Sequence, residues 1–159
     1  MLDLTTCVQS IFRQGRNFHV EATADGWHGT RGEEHVNIVK VKTLNLETVK
    51  RVGAEVPTVF LCEKVTPSAK KFEKQQPLLE ILTHTAVYKA FLAQQHRLAP
   101  AAHILSVNET KTLQTRRMAK LHKDDPMGVY LGARVDDVIR IERTSLEGRC
   151  VLQHRIVVE

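Results

Sequence analysis

The sequence is poor in the residues that announce a covalent or metal-bound framework. Its three cysteines, Cys7, Cys62 and Cys150, are odd in number, far apart and without a Cys-x-x-Cys pair. Neither a disulfide frame nor a thiolate zinc site is indicated, and buried reduced thiols are expected. None of the eight histidines falls in a His-x-x-x-His pair, and His28 and His35 lack a carboxylate or thiol at ligand spacing along the chain. No metal is expected on that pattern. No apolar run approaches the roughly 20 residues that a helical membrane span needs. The start, Met1-Leu2-Asp3-Leu4, has neither the basic and apolar regions of a signal peptide nor the Arg-rich look of a transit peptide, so an intracellular protein is expected. Also missing are a Gly-x-Ser-x-Gly elbow, a glycine-rich phosphate loop ending in Lys-Ser or Lys-Thr, and a dinucleotide fingerprint. A cofactor is therefore not expected, nor an enzyme acting alone.

What is present is a chain of 159 residues, 42% hydrophobic and 26% charged. That is enough for one or two small soluble domains, each half of which has little surface to bury by itself. A net charge of +5 favours an anionic partner, such as a nucleic-acid backbone or another protein's acidic surface.

Taken in order, Asp3 is placed to cap a helix with Leu4, Val8, Ile11 and Phe12 on one face, ended by Gly15. Phe18-His19-Val20 reads as a short strand. The polar run from Asp25 to Glu34, with Gly26, Gly29 and Gly32, reads as a loop or hairpin tip carrying the single tryptophan, Trp27, as a contact residue or a lid on the sheet. Val36 to Lys42 is a strand by its β-branched content, and Asn45 caps a short helix with Leu46 and Val49 inward, closed near Gly53. Thr58 to Cys62 is nearly all apolar, as in a strand covered on both faces. In Lys64-Val65-Thr66-Pro67-Ser68-Ala69-Lys70-Lys71, Thr66 fits an N-cap and Pro67 the first helical position, so Lys64, Lys70, Lys71 and Lys74 gather near one helix start. Such an end attracts phosphate; it is equally a capped helix with a solvated basic face. Pro77 breaks that helix, Leu78 to Leu82 forms a strand, and Thr83 starts a helix with Val87, Phe91 and Leu92 inward.

Ser106-Val107-Asn108-Glu109 fits a capping box ahead of a helix with Leu113 inward. It also contains the chain's one Glu-x-Lys triplet, Glu109-Thr110-Lys111, a pattern found in metal-dependent nucleases. At a helix start the triplet's side chains splay, and no carboxylate precedes it at a suitable place, so capping is the expected role. Met118 to Lys123 leads to Asp125-Pro126-Met127-Gly128-Val129-Tyr130-Leu131-Gly132, where Asp125 caps, Pro126 opens and Gly132 closes a short helix. Val138, Ile139 and Ile141 alternating with Arg140, Glu142 and Arg143 predict a half-buried strand with a basic outer face. Gly148 then turns the chain into a closing strand through His154, Arg155 and Val158.

The Asp125-Pro126 start, the Tyr130-Leu131-Gly132 that follows, a short polar turn and a basic-edged strand together carry a family likeness. They resemble the C-terminal assembly module of the family that joins the fifth, shared subunit of eukaryotic RNA polymerases to its small archaeal counterpart. Leu98-Ala99-Pro100 is similar to the family's junction between lobes, and Thr66-Pro67-Ser68-Ala69 is similar to a loop of the N-terminal jaw near downstream DNA. The chain departs from the family in a shortened Ser106 to Asp125 segment with Met118-Ala119 where Leu-Pro is usual, in His103 one place late, and in Asp136 at a turn glycine.

The resemblance implies an α+β fold: a jaw lobe over residues 1–95, built of a mixed sheet with flanking helices, then a small α+β assembly module over 96–159. It implies a non-catalytic subunit of a multisubunit DNA-directed RNA polymerase, with the largest subunit, other polymerase subunits and downstream double-stranded DNA as partners. Neither a membrane nor a homo-oligomer is expected. Thr66, Pro67, Ser68, Ala69, Lys64, Lys70, Lys71 and Lys74 would lie by the DNA. Asp125, Pro126, Tyr130, Leu131, Gly132, Arg140, Arg143 and Arg155 would lie at the subunit interface. A jaw shorter than in eukaryotic members, where archaeal members generally have none, resembles a trimmed eukaryotic-type subunit, as a large DNA virus could encode. The location would be the nucleus or, for a virus, the virion or viral factory. Two rivals are a free-standing non-specific DNA-binding regulator, which needs a continuous basic face, and a nuclease, which needs a carboxylate cluster.

Overall fold

Runs of β-branched residues broken by capped helical stretches fold into two separate mixed sheets, in an α+β arrangement. The computed structural model describes residues 3–52, 55–145 and 148–159. The chain divides into two compact units, Met1–Tyr88 and Lys89–Glu159.

In the first unit, β1 (His19–Thr23), β2 (Gly26–Arg31) and β3 (Glu34–Leu44) pair antiparallel, and β4 (Thr58–Val65) and β5 (Leu79–Thr83) continue the sheet in parallel. Parallel neighbours need crossovers, and these are α2 (Leu46–Val52) and α3 (Pro67–Glu73). Their inward residues Val49 and Ala69 share a core with Leu44, Phe60, Cys62 and Leu79. Thr58 to Cys62 is buried throughout, as the apolar run predicts. Asn45 caps α2, its Oδ1 accepting from the Thr48 amide at 2.8 Å; Gly53, the expected end of that helix, lies outside the described residues.

The first helix, α1 (Leu4–Ser10), buries Leu4, Cys7 and Val8 and continues as a π-helical turn over Ile11–Gly15 that buries Ile11 and Phe12. Asp3 occupies the N-cap position without a side-chain cap hydrogen bond. Arg16 follows, only 7% exposed, and its guanidinium meets both carboxylate oxygens of Glu80 on β5 at 2.6 and 2.7 Å while lying over the Phe12 ring. A bidentate pair of this kind fixes the helix against the sheet with directional contacts.

The glycine-rich run expected as a loop is instead β2. Trp27, 7% exposed, points into the protein beside Ile38, its cross-strand partner. Gly26 and Gly29 belong to the strand for a steric reason: a Cβ on Gly26 would lie 2.0 Å from the Ile38 carbonyl oxygen, and one on Gly29 2.7 Å from Val36 Cγ1.

The division between units falls within α4 (His84–Gln95), which Thr83 caps by accepting from the Ala86 amide at 3.2 Å. Val87 and Ala90 are buried, but Leu92 is 52% exposed, contrary to the inward position expected for it. Five residues beyond Val87, Leu92 lies well around the helix from the stripe that Val87, Ala90 and Phe91 share.

The second unit is a four-stranded sheet in the order β6 (Ala101–Ile104), β8 (Val138–Thr144), β9 (Cys150–Val158), β7 (Ala119–His122), with β7 parallel to β9 and the other pairs antiparallel. The capping box at Ser106 and Glu109 forms on both sides, but the helix behind it, α5 (Val107–Thr110), is a single turn that ends before Leu113. A 3-10 turn over Thr115–Arg117 follows, and β7 lies in the Met118 to Lys123 stretch that leads to Asp125.

Candidate functional site

The short helix α6 (Pro126–Leu131) is held at both ends by the residues that announce it. Asp125 Oδ1 accepts from the Met127 amide at 2.9 Å, and Gly132 closes the helix at φ +70°, in the left-handed region where glycine carries no Cβ penalty. The Ala133 amide then returns to the Gly128 carbonyl at 2.9 Å. So fixed, α6 and the residues after it lay Met127, Leu131 and Ala133 on a core of Leu121, Ile139, Ile141 and Val157. Asp125, Pro126 and Gly132 thus build the helix, while Tyr130 beside them is half-buried, and that burial pushes its phenol pKa up. The turn to β8 passes through Asp136 at φ +74°, where Asp substitutes for the expected glycine.

The three arginines expected on one interface divide between two faces of this sheet. Residues 139, 141 and 143 alternate onto one face, and cross-strand register places Arg155 opposite Ile139. Arg143 and Arg155 therefore share the face of the core, Arg143 exposed and Arg155 half-buried. Arg140 projects from the other face in a row with His103 and His154. Its Nε reaches His154 Nε2 at 3.4 Å, and its Nη2 lies 3.7 Å from Glu109 Oε1. The Ser106 hydroxyl and amide hold the Glu109 carboxyl below the usual carboxylate range, with a smaller contribution from Arg140. The basic outer face read into β8 is thus one half-buried arginine tied to its own unit. Period-two geometry, applied through residue 143, is sufficient to find the split; the partnership with Glu109 and His154 crosses elements and leaves no signal in linear sequence.

In the first unit, Thr66 caps α3 by accepting from the Ala69 amide at 3.4 Å, with Pro67 at the first position. Ala69 is fully buried in the core, so its side chain is turned away from any ligand. Ser68, Lys64, Lys70, Lys71 and Lys74 are exposed. Pro67, Lys70, Lys71 and Lys74 line one shallow, open depression, as spacing of i, i+3, i+4 and i+7 requires. The lysines do not surround the helix start, however. The helix is so short that Lys70 and Lys71 fall in its last turn and Lys74 at its C-cap, where their charge complements the negative end of the helix.

Residues 87–157 match the family described as RNA polymerase Rpb5, C-terminal domain. The chain is 30% identical over 77 residues to DNA-directed RNA polymerase subunit Rpo5 of Methanothrix thermoacetophila, a match covering 99% of that protein and 45% of this chain. The chain belongs to the Rpb5/Rpo5 family. It is also 36% identical over 80 residues to the Rpo5 subunit of Thermococcus celer, covering 98% of that protein and 46% of this chain. With the Archaeoglobus fulgidus Rpo5 subunit it shares 31% identity over 74 residues, which is 97% of that protein and 43% of this chain. The archaeal subunits therefore correspond almost whole to rather less than half of this chain. The family match holds α5, α6 and all four strands of the second sheet; the sheet of the first unit, with the α3 lysines, lies outside it.

Proposed function

We propose that the protein is a non-catalytic subunit of a multisubunit DNA-directed RNA polymerase, docked on the largest subunit through its C-terminal unit, with its N-terminal unit beside downstream DNA. The observation that carries the reading is that the Rpb5 C-terminal domain matches residues 87–157, which hold α6 and the β6-β8-β9-β7 sheet, while archaeal polymerase subunits match this chain over nearly their whole length. That unit also keeps apolar side chains in solvent: Val107 is 75% exposed and Leu152 54%. A small sheet with such residues has burial left to complete against a partner.

The DNA contact rests on the lysine face of α3. Three cations along one side of a short helix suit the phosphate backbone, and no base-reading helix accompanies them among the described residues, so the contact would be independent of sequence. The place of action is where such a polymerase works: the nucleus or, if the trimmed jaw marks a viral protein, the virion or viral factory.

Tyr130→Ala tests the docking. The variant, folded by circular dichroism, is expected to co-purify with the other polymerase subunits at well below wild-type yield. Wild-type yield would show that α6 does not carry assembly.

A further inference from the structure

The parallel half of the first sheet brings together two sets of cations that the linear sequence keeps apart. Because β3, β4 and β5 run parallel, α2 and α3 must each return from the end of one strand to the start of the next. Both helices therefore point the same way. They lie on one face of the sheet, since Val49 of α2 and Ala69 of α3 enter the same core, and they touch each other along it. Their last turns thus stand side by side at the end where β4 and β5 begin, at the separation of about 8–10 Å usual for packed helices.

Both last turns are basic. Lys50 and Arg51 close α2, Lys70 and Lys71 close α3 with Lys74 at its C-cap, and all of these side chains are exposed. Among the described residues Lys50, Arg51, Lys70 and Lys71 make no ion pair. The carboxylates of the two helices are held elsewhere. Glu47 sits in the first turn of α2, at the opposite end, and Glu73 Oε1 accepts from the Ile81 amide at 2.6 Å. Glu55, in the connection to β4, offsets one of the positive charges. A helix C-terminus carries only about half a negative charge, so the dipoles of two short helices call for far less positive charge than gathers here.

We propose that Lys50 and Arg51 of α2 join Lys70, Lys71 and Lys74 of α3 in one phosphate-binding face, through which the first unit meets the backbone of duplex DNA with two helices. The proposal rests on the reading that this unit lies beside downstream DNA, and it extends the contact to a helix that the sequence gives no reason to include. Exposed cations on long side chains suit phosphates, whose positions vary little with sequence, so the two helices hold the duplex without reading it.

Counterion release makes the cations countable. For B-DNA the logarithm of affinity falls with the logarithm of salt at a slope of about −0.9 per phosphate neutralised, which gives about −4.5 for the two-helix face and about −2.7 for the α3 cations alone. Binding of a fluorescently labelled duplex to the full chain, followed by anisotropy between about 20 and 80 mM salt, should therefore weaken roughly 500-fold for the parent and roughly 40-fold for the double variant Lys50→Ala, Arg51→Ala. The double variant Lys70→Ala, Lys71→Ala should lower the slope by the same amount. Lys40 and Lys42 are exposed and alternate on β3 with Val39 and Val41, which pack on the core beneath the helices, so they project from the opposite face of the sheet. The double variant Lys40→Ala, Lys42→Ala loses as much charge and should keep the parent's slope, with every variant shown folded by circular dichroism. The proposal is overturned if loss of Lys50 and Arg51 leaves the slope unchanged, if loss of Lys40 and Lys42 lowers it equally, or if the parent does not bind duplex. A slope lowered by loss of Lys70 and Lys71 but not of Lys50 and Arg51 would remove this extension and leave the α3 contact standing; a slope lowered by neither would remove both.

Discussion

At the scale of single residues, the same few side chains recur as the ones that decide local geometry. Thr66, Asp125 and Ser106 each answer orphaned amides at a helix start, and Asp125 and Thr66 do so ahead of a proline that gives up an amide already without a partner. Ser106 carries a measurable electrostatic consequence. Hydrogen bonds from Ser106 lower the Glu109 carboxyl below its ordinary range, so the folded state favours the carboxylate. The stabilisation is complete above the unfolded pKa and is lost as pH falls through the lowered folded one. Denaturant melts between about pH 6 and pH 3 should therefore show Ser106→Ala less stable than wild type at the upper end, with the two converging at the lower. An unchanged difference across that range would show that Glu109 does not respond to its cap.

Elements show where linear sequence is legible and where it is not. The helix stops and starts at Asn45, Thr66, Thr83, Ser106, Asp125 and Gly132 are readable because a cap is a local contract between a side chain and the next few amides. So is the apolar strand Thr58 to Cys62, whose burial on both faces shows in composition. Trp27 is not, because three glycines and polar neighbours look like a loop until Ile38 stands opposite Trp27, packed over Gly26, and the need for a bare Cα appears. Nor is β7, a short run whose strand character comes from pairing with distant β9. The lysines of α3 are identifiable as a group, but their position relative to the helix dipole depends on where a seven-residue helix ends. That position bears on their strength. Without the positive helix end behind them, Lys70 and Lys71 act as exposed cations, and Lys70→Ala with Lys71→Ala should weaken a polymerase–DNA elongation complex by about 1 kcal/mol at low salt. The difference should vanish as salt rises, since screening shortens the reach of exposed charge. Equal stability of the two complexes at low salt would remove this face from the DNA contact.

Across the whole molecule, the two units divide the work. The second carries the family: its sheet, α6 and the turn through Asp136 lie within the match to the Rpb5 C-terminal domain, and it holds the most exposed apolar side chains, Leu98 and Val107. The first carries the lysine face and lies largely outside the family match. Membership in the polymerase family follows from the second unit, and a charge of +5 adds only a general attraction to phosphate. On this view the chain works as part of a polymerase and not by itself. Affinity purification of the tagged full chain from its own cells under mild salt, followed by identification of the retained proteins, addresses that most directly. Retention of polymerase large subunits in stoichiometric amount is predicted; recovery of the chain alone, or with DNA but no polymerase subunit, would contradict it.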